Sequence, residues 1–154
     1  MKLPSTLLTL GDNTFNGCTK LRKVVFEEGS ALKEIGAKAF AYCISLKRIL
    51  LPEKLEVIGE KAFECSRLEE ITLHDALKEV YEDAFNKCAS LRAVYIQDGC
   101  GVDVSQTGIP RSVKVGPLPD TVVGNVKVWD LRKKKNIVVP EGTKRIGNSW
   151  FWGC

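Results

Sequence analysis

The sequence lacks the features on which membrane spans, secretion signals and nucleic-acid binding usually depend. No apolar run approaches the roughly 20 residues of a spanning helix. Pro4 interrupts the N-terminus before the apolar core of a signal peptide could form. Lysine and arginine number 23 against 19 aspartates and glutamates, for a formal net charge of +4. So small an excess is unlike the clustered charge of a dedicated nucleic-acid binder, and we do not expect a nucleic-acid partner.

The sequence does contain an internal repeat, in which a phenylalanine precedes a cysteine by three residues. Phe15, Phe40, Phe63 and Phe85 are separated by 25, 23 and 22 residues. That spacing lies in the range of leucine-rich repeats. The copy at Phe63 is one residue shorter, and a further copy ends the chain around Phe151.

Two apolar stretches flank each phenylalanine. After each cysteine comes an L-x-x-[IV]-x-apolar stretch, such as that of Leu46, Ile49 and Leu51, whose alternation predicts a strand with one buried face. Before each phenylalanine comes a second L-x-x-[IVL] unit, often followed by glycine at a turn. The alanine–phenylalanine segment is too short for more than one or two helical turns. Each coil is therefore predicted to hold one strand, a corner, a short helical segment and a return.

The unit L-x-x-I-x-L-P-x-x-L-x-x-I-G-x-x-A-F-x-x-C resembles the BspA-like leucine-rich repeats, a class found in bacterial and parasite surface proteins. The resemblance implies an α/β repeat solenoid. This would be a right-handed leucine-rich-repeat solenoid with one parallel β-sheet face and short helical or 3-10 turns on the other side. It further implies a non-catalytic protein-recognition module of surface or adhesion type, located at the cell surface or secreted as part of a longer protein.

We interpret residues 1–154 as a single solenoid domain, with regular coils over 3–96 and 139–154. Residues 97–138 are interpreted as two degenerate coils, because steps of 22 residues from Phe85 land on Thr107 and Trp129. The alternative is a hairpin insertion that turns at Gly124-Asn125.

The two ends of the chain lack an evident capping repeat. We therefore expect a fragment of a longer protein, in which bare coil ends favour a homo-oligomer.

The cysteines are predicted to be structural. Cys18, Cys43, Cys65, Cys88 and Cys154 are assigned to one repeat position. Stacked side chains at that position point the same way, so we expect a column of reduced, buried thiols. No C-x2-C pair is present, so no zinc site or other cofactor is expected. Reduced thiols would suit a reducing cytosol equally well.

The chain is not predicted to be an enzyme. It carries no G-x-S-x-G, P-loop or H-E-x-x-H motif. The one candidate nucleophile pair, Cys100 and His74, falls in adjacent coils, but one side chain would point inward and the other outward.

The outward positions of the predicted strands form a candidate binding face for a protein partner. Its middle column is apolar, which is typical of an interaction site, although the same residues also stabilise strands through cross-strand pairs. Tyr95 is the strongest candidate, since aromatic anchors are enriched among hot spots. The predicted contact residues are Arg48, Leu50, Thr72, His74, Tyr95 and Gln97.

A basic cluster follows near the C-terminus, formed by Arg132, Lys133, Lys134 and Lys135. Such a run is usually a solvated face, and the alternative is a binding site for sulfated glycan or nucleic acid. A further alternative is an architectural spacer whose sheet face binds nothing.

Overall fold

The computed structural model describes residues 1–117 and the backbone of residues 122–123 and 126–127. The chain divides into two units, Met1–Leu118 and Pro119–Cys154. In chain order the strands are β1 Lys2–Leu3, β2 Thr9–Leu10, β3 Val25–Phe26, β4 Glu34–Ile35, β5 Val57–Ile58, β6 Glu70–Leu73, β7 Glu79–Val80, β8 Ala93–Ile96, β9 Lys114–Pro117, β10 Val122–Val123 and β11 Val126–Lys127.

The first unit is a solenoid with two columns of parallel strands. The first column contains the pair β1-β3 and the run β6-β8-β9. By their place in the repeat, residues 48–51 occupy this column between β3 and β6, where the Glu69 amide donates to the Lys47 carbonyl at 2.9 Å. The second column is β2-β4-β5-β7. The prediction of one sheet face is therefore corrected to two strand columns, because both L-x-x-[IV] units pair with their own copies one coil away.

The segment around each phenylalanine differs from the predicted helical turn. Residues 1–117 contain neither α-helix nor 3-10 helix. Instead, alternate amides bond to the next coil, as when Phe40 N–H donates to the Ala62 carbonyl at 2.7 Å and Phe63 N–H to the Ala84 carbonyl at 2.8 Å. Lys61 begins one such segment and Cys65 ends it, both in the left-handed region with φ of 55° and 54°. Amides committed to a neighbouring coil cannot build a continuous helical ladder, so the segment is a series of turns.

The phenylalanines form a stacked ladder in the core. The ring centroids of Phe15, Phe40, Phe63 and Phe85 are separated by 5.4, 5.5 and 5.7 Å in turn. The last three rings are fully buried. Thr107 takes the next position, where it is fully buried and its carbonyl accepts the Phe85 amide at 2.8 Å.

The cysteine column needs one correction. Cys43 and Cys88 are buried, and their thiols donate to the carbonyls of Phe15 and Phe63 at 3.2 and 3.1 Å. In the shorter repeat, however, the position three residues after the phenylalanine falls on Ser66, which is 4% exposed and lies 3.4 Å from the Cys88 sulfur. Cys65 is displaced to a half-buried turn position. The five cysteines of the described region are all free.

Beyond β8 the first unit continues through residues 97–117. Strand β9 pairs in parallel with β8, placing Val94 opposite Val115. In the second unit β10 and β11 form an antiparallel pair in which Val123 lies opposite Val126. The predicted coil at 139–154 lies outside the described residues, and the division of 1–154 into coils stays a prediction.

Candidate functional site

The outward side of the first strand column, which we call the outer face, carries the predicted contact residues. Along β6 the side chains alternate, with Ile71 and Leu73 buried and Glu70 and Thr72 half-buried. The parallel register places Thr72 opposite Tyr95. This alternation is the reason for a second, partly accessible row, because successive side chains of a strand point to opposite faces.

The outer face has an apolar row running across the coils. We use this name for Val25, Leu50, Thr72 and Tyr95, all half-buried. Burial, with a smaller contribution from the Glu70 carboxylate, raises the pKa of Tyr95. The row therefore presents aliphatic and aromatic surface with two hydroxyl groups, those of Thr72 and Tyr95.

Arg48 belongs to a ladder of ion pairs at the edge where the strands begin. Its guanidinium lies 4.0 Å from the Glu69 carboxylate and 3.8 Å from that of Glu70. Lys47 and Arg92, from the coils on either side, each approach Glu69 at 3.3 Å. The hydrogen bond from Lys47 contributes most to lowering the pKa of Glu69. These contacts link three successive coils.

His74 is not the exposed contact residue that the sequence predicted. The side chain is 8% exposed, and its ring nitrogens make no hydrogen bond of ordinary geometry, although the Pro52 backbone lies close enough to act on its pKa. Its repeat neighbours are Pro52, which is buried, and Gln97, which is half-buried. Burial lowers the pKa of His74, against the opposing effect of the Asp75 and Glu53 carboxylates. His74 is therefore a neutral, buried side chain at the end of β6.

The charges at the two edges of the outer face were not singled out in the sequence. We call the edge where the strands begin the basic rim and the edge where they end the acidic rim. The cations of the basic rim are Arg22, Lys23, Lys47, Arg48, Arg92 and Lys114, with Glu69 and Glu70 among them. The carboxylates of the acidic rim are Glu27, Glu28, Glu53, Asp75 and Asp98. Reading the charges by repeat position, rather than along the chain, would have revealed this pattern.

A shallow depression lies beside the second strand column. Lys33, Lys54, Lys78, Glu53, Glu56 and Ala76 line its volume of about 320 Å³. Lys33 approaches Glu56 at 2.9 Å, and Lys78 also donates to this carboxylate. Hydrogen bonds from Lys33 and then Lys78 lower the pKa of Glu56 to about 2. This arrangement joins three coils through one carboxylate.

In the part of the chain that the structure describes, the side chains needed for a metal site or for a Cys100–His74 nucleophile pair are not brought together. No group of three or more histidine, cysteine or acidic side chains there is placed to hold a metal ion. Cys100 is half-buried against the core, and no hydrogen bond joins it to His74. Among the described residues there is no helix that could span a bilayer. The basic cluster Arg132, Lys133, Lys134 and Lys135 lies outside the described residues.

The chain is similar in sequence and fold to bacterial repeat proteins. Residues 1–103 match the model of the BspA type Leucine rich repeat region in six copies. The crystal structure of the T. pallidum leucine-rich repeat protein TpLRR is 33% identical, with a TM-score of 0.58 over 75% of this chain. The match spans 58% of that protein. A search of curated proteins gives no match.

Two further structures are more distant. A leucine-rich cell surface protein from Faecalibacterium prausnitzii is 22% identical, with a TM-score of 0.39 and coverage of 62% of this chain and 38% of that one. A leucine-rich repeat protein from Bacteroides ovatus is 19% identical, with a TM-score of 0.42 and coverage of 79% and 46%.

The family match accounts for the repeated coils, the phenylalanine ladder and the parallel strand columns described above. The family consists of repeat modules for protein interaction; it is generally non-catalytic, and its members are often surface proteins. The chain belongs to the BspA-type leucine-rich repeat family.

Proposed function

We propose that this chain is a non-catalytic recognition module of surface or adhesion type, which binds a protein partner through its outer face. The observation that carries the proposal is the half-buried apolar row, which leaves Leu50, Thr72 and Tyr95 partly accessible between two charged rims. Apolar surface bordered by charge is characteristic of interaction sites. The family's role in protein interaction supports the same assignment.

Tyr95 is the proposed anchor of the interface. It is a large side chain with few rotatable bonds, and its hydroxyl can donate a hydrogen bond to a partner. Arg48, Leu50, Thr72 and Gln97 would supply the surrounding contacts. His74 would support the end of β6 from within, since the imidazole is buried.

A binding screen of the purified chain tests this proposal. Extracellular-matrix proteins, heparin and nucleic acid would be compared at low and physiological salt, using Tyr95→Ala and, as the matched control, Tyr81→Ala. Tyr81 is 45% exposed and follows β7 in the second column, so its loss removes a comparable side chain elsewhere. We expect salt-tolerant protein binding that falls at least about tenfold in Tyr95→Ala and is unchanged in Tyr81→Ala.

Other results would contradict the proposal. Binding that is steeply salt-dependent and is lost on charge reversal of Lys133, Lys134 and Lys135 would favour a site for sulfated glycan or nucleic acid. Absence of binding to every probe would favour the architectural spacer.

A further inference from the structure

The buried thiols that follow the phenylalanine ladder are directed along the stack, toward the preceding coil. The Cys43 thiol donates to the Phe15 carbonyl at 3.2 Å, and the Cys88 thiol donates to the Phe63 carbonyl at 3.1 Å. Each acceptor belongs to the coil before. Each thiol therefore approaches the residue that holds the same repeat position one coil earlier.

The Ser66–Cys88 pair shows how closely two residues of this column approach each other. The Ser66 hydroxyl oxygen and the Cys88 sulfur are 3.4 Å apart. Cys18 has the same relation to Cys43, because the Cys18 and Ser66 amides donate to the carbonyls of their own ladder phenylalanines at 3.1 and 3.0 Å. Those two carbonyls also accept the thiol of the following coil. In agreement, the Cys18 backbone and thiol both lie close enough to Cys43 to act on its pKa.

The backbone around Cys18 and Cys43 suits a covalent link between their sulfurs. Neighbouring coils are stacked about 4.8 Å apart, and disulfides join Cα atoms about 4.4–6.8 Å apart. The Gly17 amide, directly before Cys18, donates to the Ala41 carbonyl at 2.9 Å and holds the two coils together. Closing the bond therefore requires rotation of the two side chains and not a shift of the coils.

Two other cysteines of residues 1–117 lie away from the buried column. Cys65 occupies the turn position of Tyr42 and Lys87, with a φ of 54° against 58° and 56°. Cys100 follows β8. Within these residues, Cys18 and Cys43 are thus the two cysteines that hold the column position in adjacent coils.

We propose that Cys18 and Cys43 are a redox-active pair, which forms a disulfide between the first two coils by exchange with a small disulfide of the glutathione type. The thiolate of the half-buried Cys18 attacks one sulfur of this oxidant and expels the other as a thiol. The thiolate of Cys43 then attacks the Cys18 sulfur of the mixed disulfide and expels the second thiol. Two protein thiols are oxidised, one oxidant disulfide is reduced to two thiols, and the protons of the protein thiols pass to them. The inference does not depend on the outer face.

The environments of the two thiols set the order of the steps. Cys18 is half-buried and is accessible to a small oxidant, whereas Cys43 is fully buried. Burial, with a smaller contribution from Cys18, raises the pKa of Cys43 to about 11. Since the thiolate is the nucleophile, the second step should be slow at neutral pH and should accelerate by about tenfold per pH unit below that value.

Peptide mapping of the oxidised, folded chain tests the assignment. The reduced chain is incubated with oxidised glutathione, its remaining thiols are alkylated, and it is digested with trypsin for mass spectrometry. We expect a cross-link between peptides 3–20 and 39–47, which dithiothreitol reverses. Cys43→Ser should instead retain glutathione on Cys18. Cys65→Ser is the matched control and should leave the cross-link unchanged.

A transplanted pair tests the geometry on which the argument rests. Ser66→Cys, in a chain that also carries Cys43→Ser and Cys65→Ser, places a thiol where the Ser66 hydroxyl lies 3.4 Å from the Cys88 sulfur. Oxidised glutathione should then join peptides 62–67 and 88–92. The same chain with Ser66 retained should give no such cross-link.

Three outcomes for the unmodified chain would overturn the proposal. Glutathione that stays on Cys18 would show that the Cys43 sulfur does not reach it. Cross-links from Cys18 to Cys65, Cys100 or Cys154 as abundant as those to Cys43 would indicate unselective oxidation. Recovery of both Cys18 and Cys43 as alkylated thiols would show that the pair does not exchange with this oxidant.

Discussion

Phe63 shows how one side chain is shared by three coils. Its ring lies between those of Phe40 and Phe85, with interplanar angles of 7° and 5°, and it is fully buried. Replacing it leaves a cavity bounded by two other aromatic rings, which cannot close without moving the coils.

Phe63→Ala should lower the free energy of unfolding by about 3–5 kcal/mol, as for other buried aromatic truncations. Urea denaturation followed by circular dichroism measures this change. Tyr42→Ala provides the control, since Tyr42 is 46% exposed in the equivalent segment of the coil before. A loss below about 1 kcal/mol for Phe63→Ala would contradict the ladder.

His74 makes the folded state sensitive to mild acid. Burial lowers its pKa below the ordinary value of 6.5, so the unfolded chain takes up a proton first as the pH falls. Stability associated with neutral His74 should therefore be complete above pH 6.5 and decrease below it, until the folded protein is also protonated. Because the chain has one histidine, the imidazole NMR titration is unambiguous and should give a midpoint below 6.5.

The variant His74→Leu is the control for this pH dependence. It removes the titrating group, so the decrease in stability that begins near pH 6.5 should disappear, while carboxylate titration at lower pH persists. A wild-type NMR midpoint at or above 6.5 would contradict the burial of the ring.

At the scale of the strand and its turn, the close approach of the coils that carry Gly36 and Gly59 depends on glycine after the second strand column. A Cβ atom added at Gly59 would lie 2.7 Å from the Ala37 nitrogen and 2.7 Å from the Gly36 carbonyl carbon. Backbone atoms cannot move aside as a side chain can, so a larger residue must separate the coils. At Gly11, in the same repeat position, the nearest atom would be the Thr14 hydroxyl oxygen at 3.7 Å.

Gly59→Ala should therefore destabilise the protein by about 1–3 kcal/mol, the usual cost of overpacking. Gly11→Ala should be neutral or slightly stabilising, because alanine restricts the unfolded chain. Thermal and urea unfolding of the two variants measures the difference. Equal effects would mean that the coils do not approach as closely at Gly59 as the structure shows.

The turns at this scale also show where local sequence is a poor guide. The Ala-Phe spacing is compatible with a helical turn, but the amide of Phe85 bonds to Thr107 in the next coil. Likewise, counting cysteines placed Cys65 in the core column, whereas the buried position falls on Ser66. In both cases the local structure depends on the neighbouring coil, which supplies the hydrogen-bond acceptor for the amide and the buried space for the side chain.

At the scale of the whole molecule, each coil of the first unit interacts with its neighbours along the stack. Phe40 and Phe63 are in direct ring contact, whereas Phe15 and Phe85 are separated by two intervening rings. In such a one-dimensional arrangement, stability is approximately a sum of terms for single coils and for adjacent pairs.

Double-mutant cycles should reflect this arrangement. The losses from Phe40→Ala and Phe63→Ala should depart from additivity by about 0.5–3 kcal/mol, because the two rings contact each other. The losses from Phe15→Ala and Phe85→Ala should add within about 0.5 kcal/mol. Urea unfolding of the single and double variants measures both cycles; strong coupling between the distant pair would contradict nearest-neighbour stacking.

The periodicity of the sequence was enough to predict the coils and the apolar positions of the strands. These features repeat because each coil packs the same residue types at the same positions, so Phe40 and Phe63 are equivalent. Alternation along a strand such as β6 likewise encodes which side chains are buried.

The tertiary structure alone decided two other features: the burial of His74 and the second strand column. Each depends on what the adjacent coil places beside a residue. Pro52 and Gln97 occupy the positions before and after His74 in the stack, although they are 22 and 23 residues away in the sequence. Backbone amides and charged side chains find their partners across coils in the same way. Local periodicity specifies the face on which a side chain lies, whereas its exposure and its partners depend on the register between coils.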